Sequence, residues 1–314
     1  IAVIAMCLNA IALTLIFTKS RKAINQYRKL LVIFLICGIG FAILHLLTEP
    51  TCIVRENLFD LYASGWLTDM RFLCVYCGVV SMSFLILAMH YIYRAMVILN
   101  KATAIIEISN AMLLKIVVIL IFDLIVWTIL CVVFLSYRDV YEPTILRLTT
   151  DLTDFPTSDH GGRFMMFLGS VDDELNLPPF LAIFGMIIIC GISLSTIVWS
   201  SVRIVTVLND VQHRSSSWRK YNYQLFVALC LQFSGPLLLL YIPCIFYLML
   251  PFVSGQGFRS PPWLLSLCYS LYPIVDPLVI IMFIREYRRG LINVLRRLVF
   301  LLSADDTTLV VSVS

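Results

Sequence analysis

The sequence predicts an all-α membrane protein, a bundle of seven transmembrane helices followed by a C-terminal amphipathic helix. Three observations lead to this fold class. Of the 314 residues, 61% are hydrophobic and only 13% are charged, whereas soluble domains carry roughly a quarter charged residues. The apolar residues gather in seven runs of about the 20 residues that a membrane-spanning helix needs. Basic residues are concentrated in alternate connections between these runs, which is typical of membrane proteins with one fixed orientation.

The seven runs make up a single seven-helix domain over residues 1–302, because no connection has the composition of a separate soluble domain. The first run starts at Ile1, so we expect this span to be clipped by a few residues at its N-terminal end. The sixth run is long enough to tilt or to extend beyond the bilayer. The spans are predicted at residues 1–18, 30–47, 72–93, 116–135, 180–202, 225–252 and 263–284.

The positions of the charges predict the orientation of the chain. Of the 23 Lys and Arg residues, 17 follow the first, third, fifth or seventh span. Because basic connections remain in the cytoplasm, the N-terminus is expected outside the cell and the C-terminus inside.

The segment after the last span predicts a helix that lies on the membrane surface. Residues 285–302 carry aliphatic side chains on one face, among them Leu291 and Leu295, and arginines elsewhere. Such a helix suits the anionic inner leaflet of a plasma membrane. Residues 303–314 are predicted to be a disordered cytoplasmic tail.

The longest outer connection runs from Ser136 to Pro179 and holds eight acidic residues against three arginines. Two interpretations stay open for it. It is either a solvated connector or a lid over an outward-facing pocket, since long loops in compact domains often carry function.

A few polar residues lie within the predicted spans, where ionisable groups are costly and indicate a functional site by default. They are His45, His90, Asp123 and Asp276. Asp276 is the most informative, because Pro277 follows it and a proline inside a helix removes a backbone hydrogen bond. We expect this pair to form a switchable hinge.

The sixth span is expected to bend in a similar way at Pro236 and Pro243. Such a bend would let the inner end of the helix swing outward while its outer end repacks around a ligand.

Arg94 closes the third span directly after Tyr93. In one interpretation it is an anchor whose charged end reaches the membrane surface. In the other it is a latch that pairs inside the bundle or meets a cytoplasmic partner.

The cysteines near the outer face leave two interpretations of their own. Cys74 and Cys77 form an isolated Cys-x-x-Cys pair without the two further ligands that a structural zinc site needs, so no metal is predicted. Cys52 in the preceding connection is placed to form a disulfide with Cys77 or with Cys74 in the oxidising exterior.

No motif of an enzyme is present: the chain has no zinc-protease signature, no nucleophile elbow and no phosphate- or dinucleotide-binding glycine loop. The chain is therefore predicted not to be an enzyme and to hold no cofactor. A transporter is disfavoured because seven spans show no repeated halves.

Several separate motifs resemble those of one receptor family. The entry to the sixth span reads Gln224-Leu-Phe, then Ala228-Leu, then Gln232 and Pro236, with Leu-Tyr-Ile-Pro243 beyond. The last span carries Tyr-Pro-Ile-Val-Asp276-Pro277. The third span begins with Tyr-Cys-Gly78 and ends with His-Tyr-Ile-Tyr-Arg94. Together these segments are similar to the nematode seven-transmembrane chemoreceptors of the Str, Srj, Srh and Srd superfamily, and to the Str type most of all.

The resemblance implies a G-protein-coupled receptor for a small odorant or pheromone. It would lie in the plasma membrane of a sensory-neuron cilium, with a heterotrimeric G protein and the lipid bilayer as partners and no nucleic acid. It implies that Arg94 is the inner latch and Asp276-Pro277 the hinge. The ligand is expected between the third, fifth, sixth and seventh spans. Aromatic residues in the outer halves of the spans are candidate pocket residues, namely Tyr76, Phe180, Tyr241, Tyr247, Trp263 and Tyr269.

The chain departs from the family pattern at two places. Ala95 replaces an aromatic residue that often follows the arginine, and Val279 and Ile280 stand where the wider hinge motif has a tyrosine. Two alternatives therefore remain beside the receptor, a transporter or channel and a receptor-like scaffold that does not signal.

Overall fold

The structure, a computed structural model, describes residues 1–19, 22–55, 58–99, 109–135, 163–167, 170–171, 174–175, 177–210, 216–253, 262–284, 287–293 and 296. It confirms the seven-helix bundle. Within these described ranges, six helices are long and apolar enough to cross a membrane, and a shorter apolar helix at Ala2–Thr18 precedes them.

The helices occupy the predicted spans. The sixth, α6, consists of an α-helix, a π-helical turn and a second α-helix, at Ser216–Pro236, Leu237–Tyr241 and Ile242–Val253. The other helices are α1 (Ala2–Lys19), α2 (Lys22–Thr48), α3 (Met70–Leu99), α4 (Asn110–Phe134), α5 (Leu177–Asn209) and α7 (Pro262–Phe283).

Several helices extend beyond the predicted apolar runs. Helix α3 continues past Arg94 to Leu99, and α5 continues to Asn209. Helix α4 begins six residues before the predicted span, where the Ser109 side chain accepts a hydrogen bond from the Met112 backbone N–H at 3.1 Å. Hydropathy marks the hydrocarbon thickness of the bilayer, whereas a helix ends where its backbone is capped or broken.

Helix α3 is the centre of the bundle. It packs against α2, α4, α5 and α6, and buried side chains occur along its whole length, from Leu73 to Ile98. Helix α1 lies at one side, against α2 and α7.

Helices α4 and α5 lie at the periphery and expose large apolar side chains such as Phe122, Ile125 and Phe184. A water-soluble protein rarely exposes so much apolar surface in one place. Lipid chains are as apolar as these side chains, so the bilayer is the solvent that fits this face.

A small antiparallel sheet covers one end of the bundle and was not predicted from the sequence. Strands β1 (Pro50–Arg55) and β2 (Leu58–Ala63) form a hairpin between α2 and α3. Strand β3 (Arg163–Phe167) joins from the long acidic connection, giving the order β1-β2-β3. Two further short strands pair with each other, β4 (Ser170–Val171) and β5 (Glu174–Leu175).

We call the end of the bundle that carries this sheet the sheet end, and the opposite end, where the basic connections lie, the basic end. At the basic end the chain after α7 is helical over residues 287–293, within the predicted amphipathic helix. Tyr287 is fully buried in the hydrophobic cluster there. The predicted tail at 303–314 and the connection over 136–162 lie outside the described residues.

Candidate functional site

A cavity of about 100 Å³ lies inside the bundle just below the sheet. Side chains from β2 and from each of α3, α4, α5, α6 and α7 line it, and most of them are apolar. We call it the sheet-end cavity; its lining is Phe59, Leu61, Tyr76, Cys77, Val80, Trp127, Cys131, Leu135, Ile183, Met186, Cys244, Leu248, Leu265 and Tyr269.

The sheet forms the cover of this cavity. Phe59 and Leu61 on β2 reach the cavity, and their partners on β3 are Met166 and Phe164. Part of the long acidic connection is therefore built into the cover, which favours the lid interpretation over the solvated connector.

An aromatic group supports the cavity wall from the side of α2 and α7. The His45 ring nitrogen Nδ1 and the Tyr76 hydroxyl lie 2.9 Å apart in a buried hydrogen bond. Phe41 stacks on Tyr76 with ring centroids 5.3 Å apart, and the Tyr269 ring centroid lies 6.3 Å from that of Tyr76. The hydrogen bond and the stacking together hold the Tyr76 side chain in one orientation.

The structure brings some of the predicted pocket residues to the cavity and leaves others away from it. Tyr76 and Tyr269 line it. Tyr241 and Tyr247 belong to the surrounding hydrophobic cluster, and the Tyr241 hydroxyl donates to the Val80 carbonyl at 3.3 Å.

Two predicted pocket residues lie in first turns of helices, away from the cavity lining. Phe180 of α5 is half-buried. Trp263 of α7 is 62% exposed, which suits an aromatic residue at the membrane surface.

Sequence reasoning missed the contribution of α4 to the cavity. Trp127 and Cys131 face it from this helix. One turn deeper, Asp123 is buried, and the Ser81 hydroxyl donates to its carboxyl at 3.4 Å. Of these three residues, only Asp123 was recognisable in the sequence as a candidate. A tryptophan and a cysteine within an apolar run look the same whether they face a cavity, another helix or lipid.

The predicted hinge in α7 has a partner that the sequence did not reveal. Pro277 has no backbone N–H, so the carbonyl of Pro273, four residues earlier, lacks its donor within the helix. The buried Asn9 side chain of α1 supplies one, with its amide nitrogen 2.9 Å from the Pro273 carbonyl oxygen. The same nitrogen donates to the Ala5 carbonyl at 2.8 Å.

Asp276 is buried beside this proline. The Tyr272 hydroxyl lies near Asp276 and near Ser83 of α3, and the Asp276 Oδ1 atom has no hydrogen-bond partner among the described residues. Polar groups of α3 therefore lie close to the predicted hinge in α7, and Asn9 of α1 is hydrogen-bonded to it.

The α-helical hydrogen-bond pattern of α6 is interrupted near its two prolines. Regular α-helix ends at Pro236, and the following turn is π-helical, with the Ile242 N–H bonded to the carbonyl of Leu237 five residues before it. Pro243 cannot donate to Leu239 in the usual way, and a wide turn at this point is one of the known causes of a kink. The π-helical turn separates the cavity-lining part of α6 from its basic end.

At the basic end two contacts tie α6 to its neighbours. Arg94 of α3 is only 7% exposed and donates to the Asn222 side-chain oxygen at 3.0 Å. Gln224 donates from its side-chain nitrogen to the Phe283 carbonyl in the last turn of α7 at 2.6 Å. This geometry favours the interior latch over the surface anchor for Arg94, and Tyr93 beside it is buried in the cluster at the same end.

All ten cysteines lie within the described residues, and all are thiols. The predicted bridge between Cys52 and Cys77 is not formed in this structure and stays a prediction. Cys52 is buried on β1, and Cys77 lines the cavity. Within the described part of the chain, no group of three or more His, Cys, Asp or Glu side chains is arranged to hold a metal ion.

Seven apolar helices, a covered cavity at one end and buried polar contacts between helices at the other define the architecture of a seven-helix membrane receptor.

Comparison with known proteins identifies the family. Residues 1–292 match the family described as "Serpentine type 7TM GPCR chemoreceptor Str", and the chain belongs to this family. The resemblance of the motifs at the sixth and seventh spans is thereby confirmed. This family consists of receptors and not of enzymes.

Similar curated proteins come from Caenorhabditis elegans. The chain is 23% identical to "Serpentine receptor class J-38" over 92% of its own length and 89% of that protein. It is 23% identical to "G-protein coupled receptor str-217" over 92% of its length and 86% of that protein. It is 24% identical to "G-protein coupled receptor str-33" over 91% of its length and 86% of that protein.

Proposed function

We propose that this protein is a chemosensory receptor that binds a small extracellular molecule in the sheet-end cavity and activates a heterotrimeric G protein at the basic end. The observation that carries the proposal is that one helix, α6, takes part in both places. Cys244 and Leu248 line the cavity, whereas Asn222 and Gln224 hold the opposite end of the same helix to α3 and α7.

The cavity supports a small ligand of mostly apolar character. Its volume of about 100 Å³ is below that of an apolar cavity of about 150 Å³ that takes up benzene. Tyr76 and Tyr269 are the pocket residues that the geometry supports most directly, and Tyr241 and Tyr247 support them from behind. The ligand signals only if it binds one arrangement of α6 and α7 more tightly than another.

The switch consists of the α6 bend and the contacts at its basic end. Release of the hydrogen bonds at Arg94 and Gln224 would allow the basic end of α6 to move away from α3 and α7, with Pro236 and Pro243 at the bend. Asp276 and Pro277 would adjust α7 in the same step.

A groove of about 460 Å³ between α5 and α6 supports a protein contact at the basic end. Apolar and charged side chains both line it, including Leu208, Trp218, Arg219 and Lys220. We propose that the G protein binds across this groove and the adjoining basic connections.

The basic connections also support an orientation with the N-terminus outside the cell and the C-terminus in the cytoplasm. The sheet-end cavity then lies at the outer end of the bundle, on the side from which a chemical stimulus arrives. The relatives named as receptors support a location in a membrane, and we propose, from the resemblance to nematode chemoreceptors, that this is the membrane of a sensory-neuron cilium.

Nucleotide exchange on a purified heterotrimeric G protein tests the proposal. The receptor is reconstituted in lipid nanodiscs and exposed to a panel of small uncharged volatile molecules. A matched pair of variants separates the cavity from general effects: Val80→Phe fills the cavity, and Val132→Phe adds the same ring on the exposed side of α4.

We expect at least one compound to accelerate exchange with the wild type and with Val132→Phe, and to lose its effect with Val80→Phe. Solute flux through liposomes without exchange would instead favour a transporter or channel. Binding of volatile molecules with no exchange on any G protein would favour a scaffold that does not signal. Equal activation of both variants would show that the ligand binds elsewhere.

A further inference from the structure

We infer that Trp127 of α4 donates its indole N–H to a hydrogen-bond acceptor on the ligand of the sheet-end cavity, and that this ligand is a small uncharged molecule with an acceptor oxygen, such as a ketone, an aldehyde or an ester. The inference deepens the proposed function, on which it rests, by naming the chemical class of ligand and a residue that selects it.

The indole N–H of Trp127 is buried and lacks a hydrogen-bond partner in the described part of the chain. Trp127 is one of the lining residues of the cavity, and it is only 9% exposed. Its Nε1 atom is buried and has no hydrogen-bond partner among the described residues. Buried tryptophans normally have a partner for this N–H, because a buried donor without an acceptor is unfavourable.

Other polar groups of the lining already have partners. The Tyr76 hydroxyl is bonded to His45 at 2.9 Å. The Tyr269 hydroxyl is not among the buried side-chain atoms that lack a partner in the described part of the chain. Of the buried nitrogen and oxygen atoms in the described lining, the Trp127 Nε1 is therefore the one that lacks a partner. A ligand that carries a hydrogen-bond acceptor would supply the missing partner of this N–H.

The described side chains that line the cavity carry no charge. The lining contains no Asp, Glu, His, Lys or Arg, and a charged ligand without an opposite charge would be strongly disfavoured in such a place. Asp123 lies one helical turn from Trp127, but it accepts from Ser81 and does not belong to the lining. The cavity therefore suits a neutral molecule, and an indole N–H suits an acceptor rather than a donor on that molecule.

The probes for the test are cyclopentanone and methylenecyclopentane, which have nearly the same shape and differ in C=O against C=CH₂. Binding of each is measured by ligand-observed NMR on the receptor in nanodiscs, with protein-free nanodiscs as the reference for uptake into lipid. The variant is Trp127→Phe, which keeps an aromatic ring and removes the N–H. The matched control is Trp199→Phe, because Trp199 is exposed on α5 and lies outside the cavity lining.

We expect the affinity for cyclopentanone to fall about 5- to 100-fold in Trp127→Phe and to stay unchanged in Trp199→Phe. The affinity for methylenecyclopentane should change much less in either variant. An equal loss for both probes would overturn the inference, since it would reflect the shape of the ring and not the N–H. So would a cyclopentanone affinity that is insensitive to the variant, or stronger binding of cyclopentylammonium than of the ketone.

The wild type alone gives a second measurement in case Trp127→Phe does not fold. Its preference for cyclopentanone over methylenecyclopentane, each relative to uptake into lipid, should exceed unity severalfold, and a ratio of one or less contradicts the inference. Failure of the proposed function looks different. Ketone binding that depends on Trp127 without nucleotide exchange would refute receptor signalling alone, whereas exchange that is indifferent to Trp127 would refute this inference alone.

Discussion

The hydrogen bond between Asn9 and the Pro273 carbonyl of α7 leads to a quantitative prediction about stability. In the variant Asn9→Ala the Pro273 carbonyl loses the donor that now lies 2.9 Å from it. Pro277 cannot replace this donor because proline has no N–H. The Ala5 carbonyl, the other acceptor of the Asn9 amide, keeps the backbone N–H of residue 9 in a regular helix. One buried carbonyl is therefore left without a partner.

The expected loss follows from that single group. An unsatisfied buried acceptor costs about 1–3 kcal/mol, but hydrogen bonds between membrane helices average about 0.6 and reach about 1.7 kcal/mol. We expect Asn9→Ala to lower the free energy of unfolding by about 1–2 kcal/mol, measured by denaturant titration of the purified protein in mixed micelles. The control Thr14→Ala removes an exposed hydroxyl that bonds within its own helix and should change this free energy by less than about 0.5 kcal/mol.

A double-mutant cycle with Pro277→Ala isolates the cause. Residue 277 then has an N–H that can donate to the Pro273 carbonyl, so Asn9 is no longer its sole donor. In this background Asn9→Ala should cost less than about half of what it costs in the wild type. An equal cost in both backgrounds would refute the reasoning, because it would mean that Asn9 acts through packing and not through the carbonyl freed by the proline.

Three further outcomes are expected from the packing and polar contacts. Gly78→Ala should lower the free energy of unfolding by about 1–3 kcal/mol, since the new Cβ would lie 2.6 Å from a methyl group of Leu124. The control Gly40→Ala, whose Cβ would have nothing within 4 Å, should be neutral or stabilising. Similar losses in both variants would contradict the close approach of α3 and α4. Tyr76→Phe should cost about 1 kcal/mol in the same titration because the buried His45 loses its partner, whereas Tyr223→Phe on an exposed surface should cost almost nothing. Gln224→Leu should raise ligand-independent nucleotide exchange about fivefold, which corresponds to a loss of about 1 kcal/mol of stability from the state that holds α6 against α7. The control is Cys230→Ala, at an exposed position on the same helix. Unchanged exchange with Gln224→Leu would exclude this contact from the switch.

The covered cavity also explains why the position of the pocket could be predicted only in part. Tyr76 and Tyr269 stand near the outer ends of their spans, and any seven-helix bundle brings these ends together. The participation of Trp127 depends on how α4 is rotated about its own axis. This rotation follows from its packing against α3, where Gly78 allows the close approach of Leu124, and no pattern in the α4 sequence indicates it.

The sequence by itself determined the number and the approximate positions of the helices. Lipid cannot satisfy backbone polar groups, so a chain in a bilayer must form helices wherever it is continuously apolar. It also determined the expected orientation, through the basic connections, and the places in α6 and α7 where proline removes a backbone donor, because the effect of proline on a helix is local. The motifs at the entry to the sixth span, around Arg94 and at Asp276-Pro277 together indicated the family.

Only the tertiary structure decided which groups meet. Arg94 finds Asn222 at a separation of 128 residues, and Asn9 finds Pro273 at a separation of 264. The sheet pairs β2, which precedes α3, with β3, which follows α4 in the sequence. Each of these contacts depends on the rotation and spacing of whole helices, which side-chain packing sets across the bundle. Composition and periodicity act over a few turns of one helix and contain no information about that arrangement.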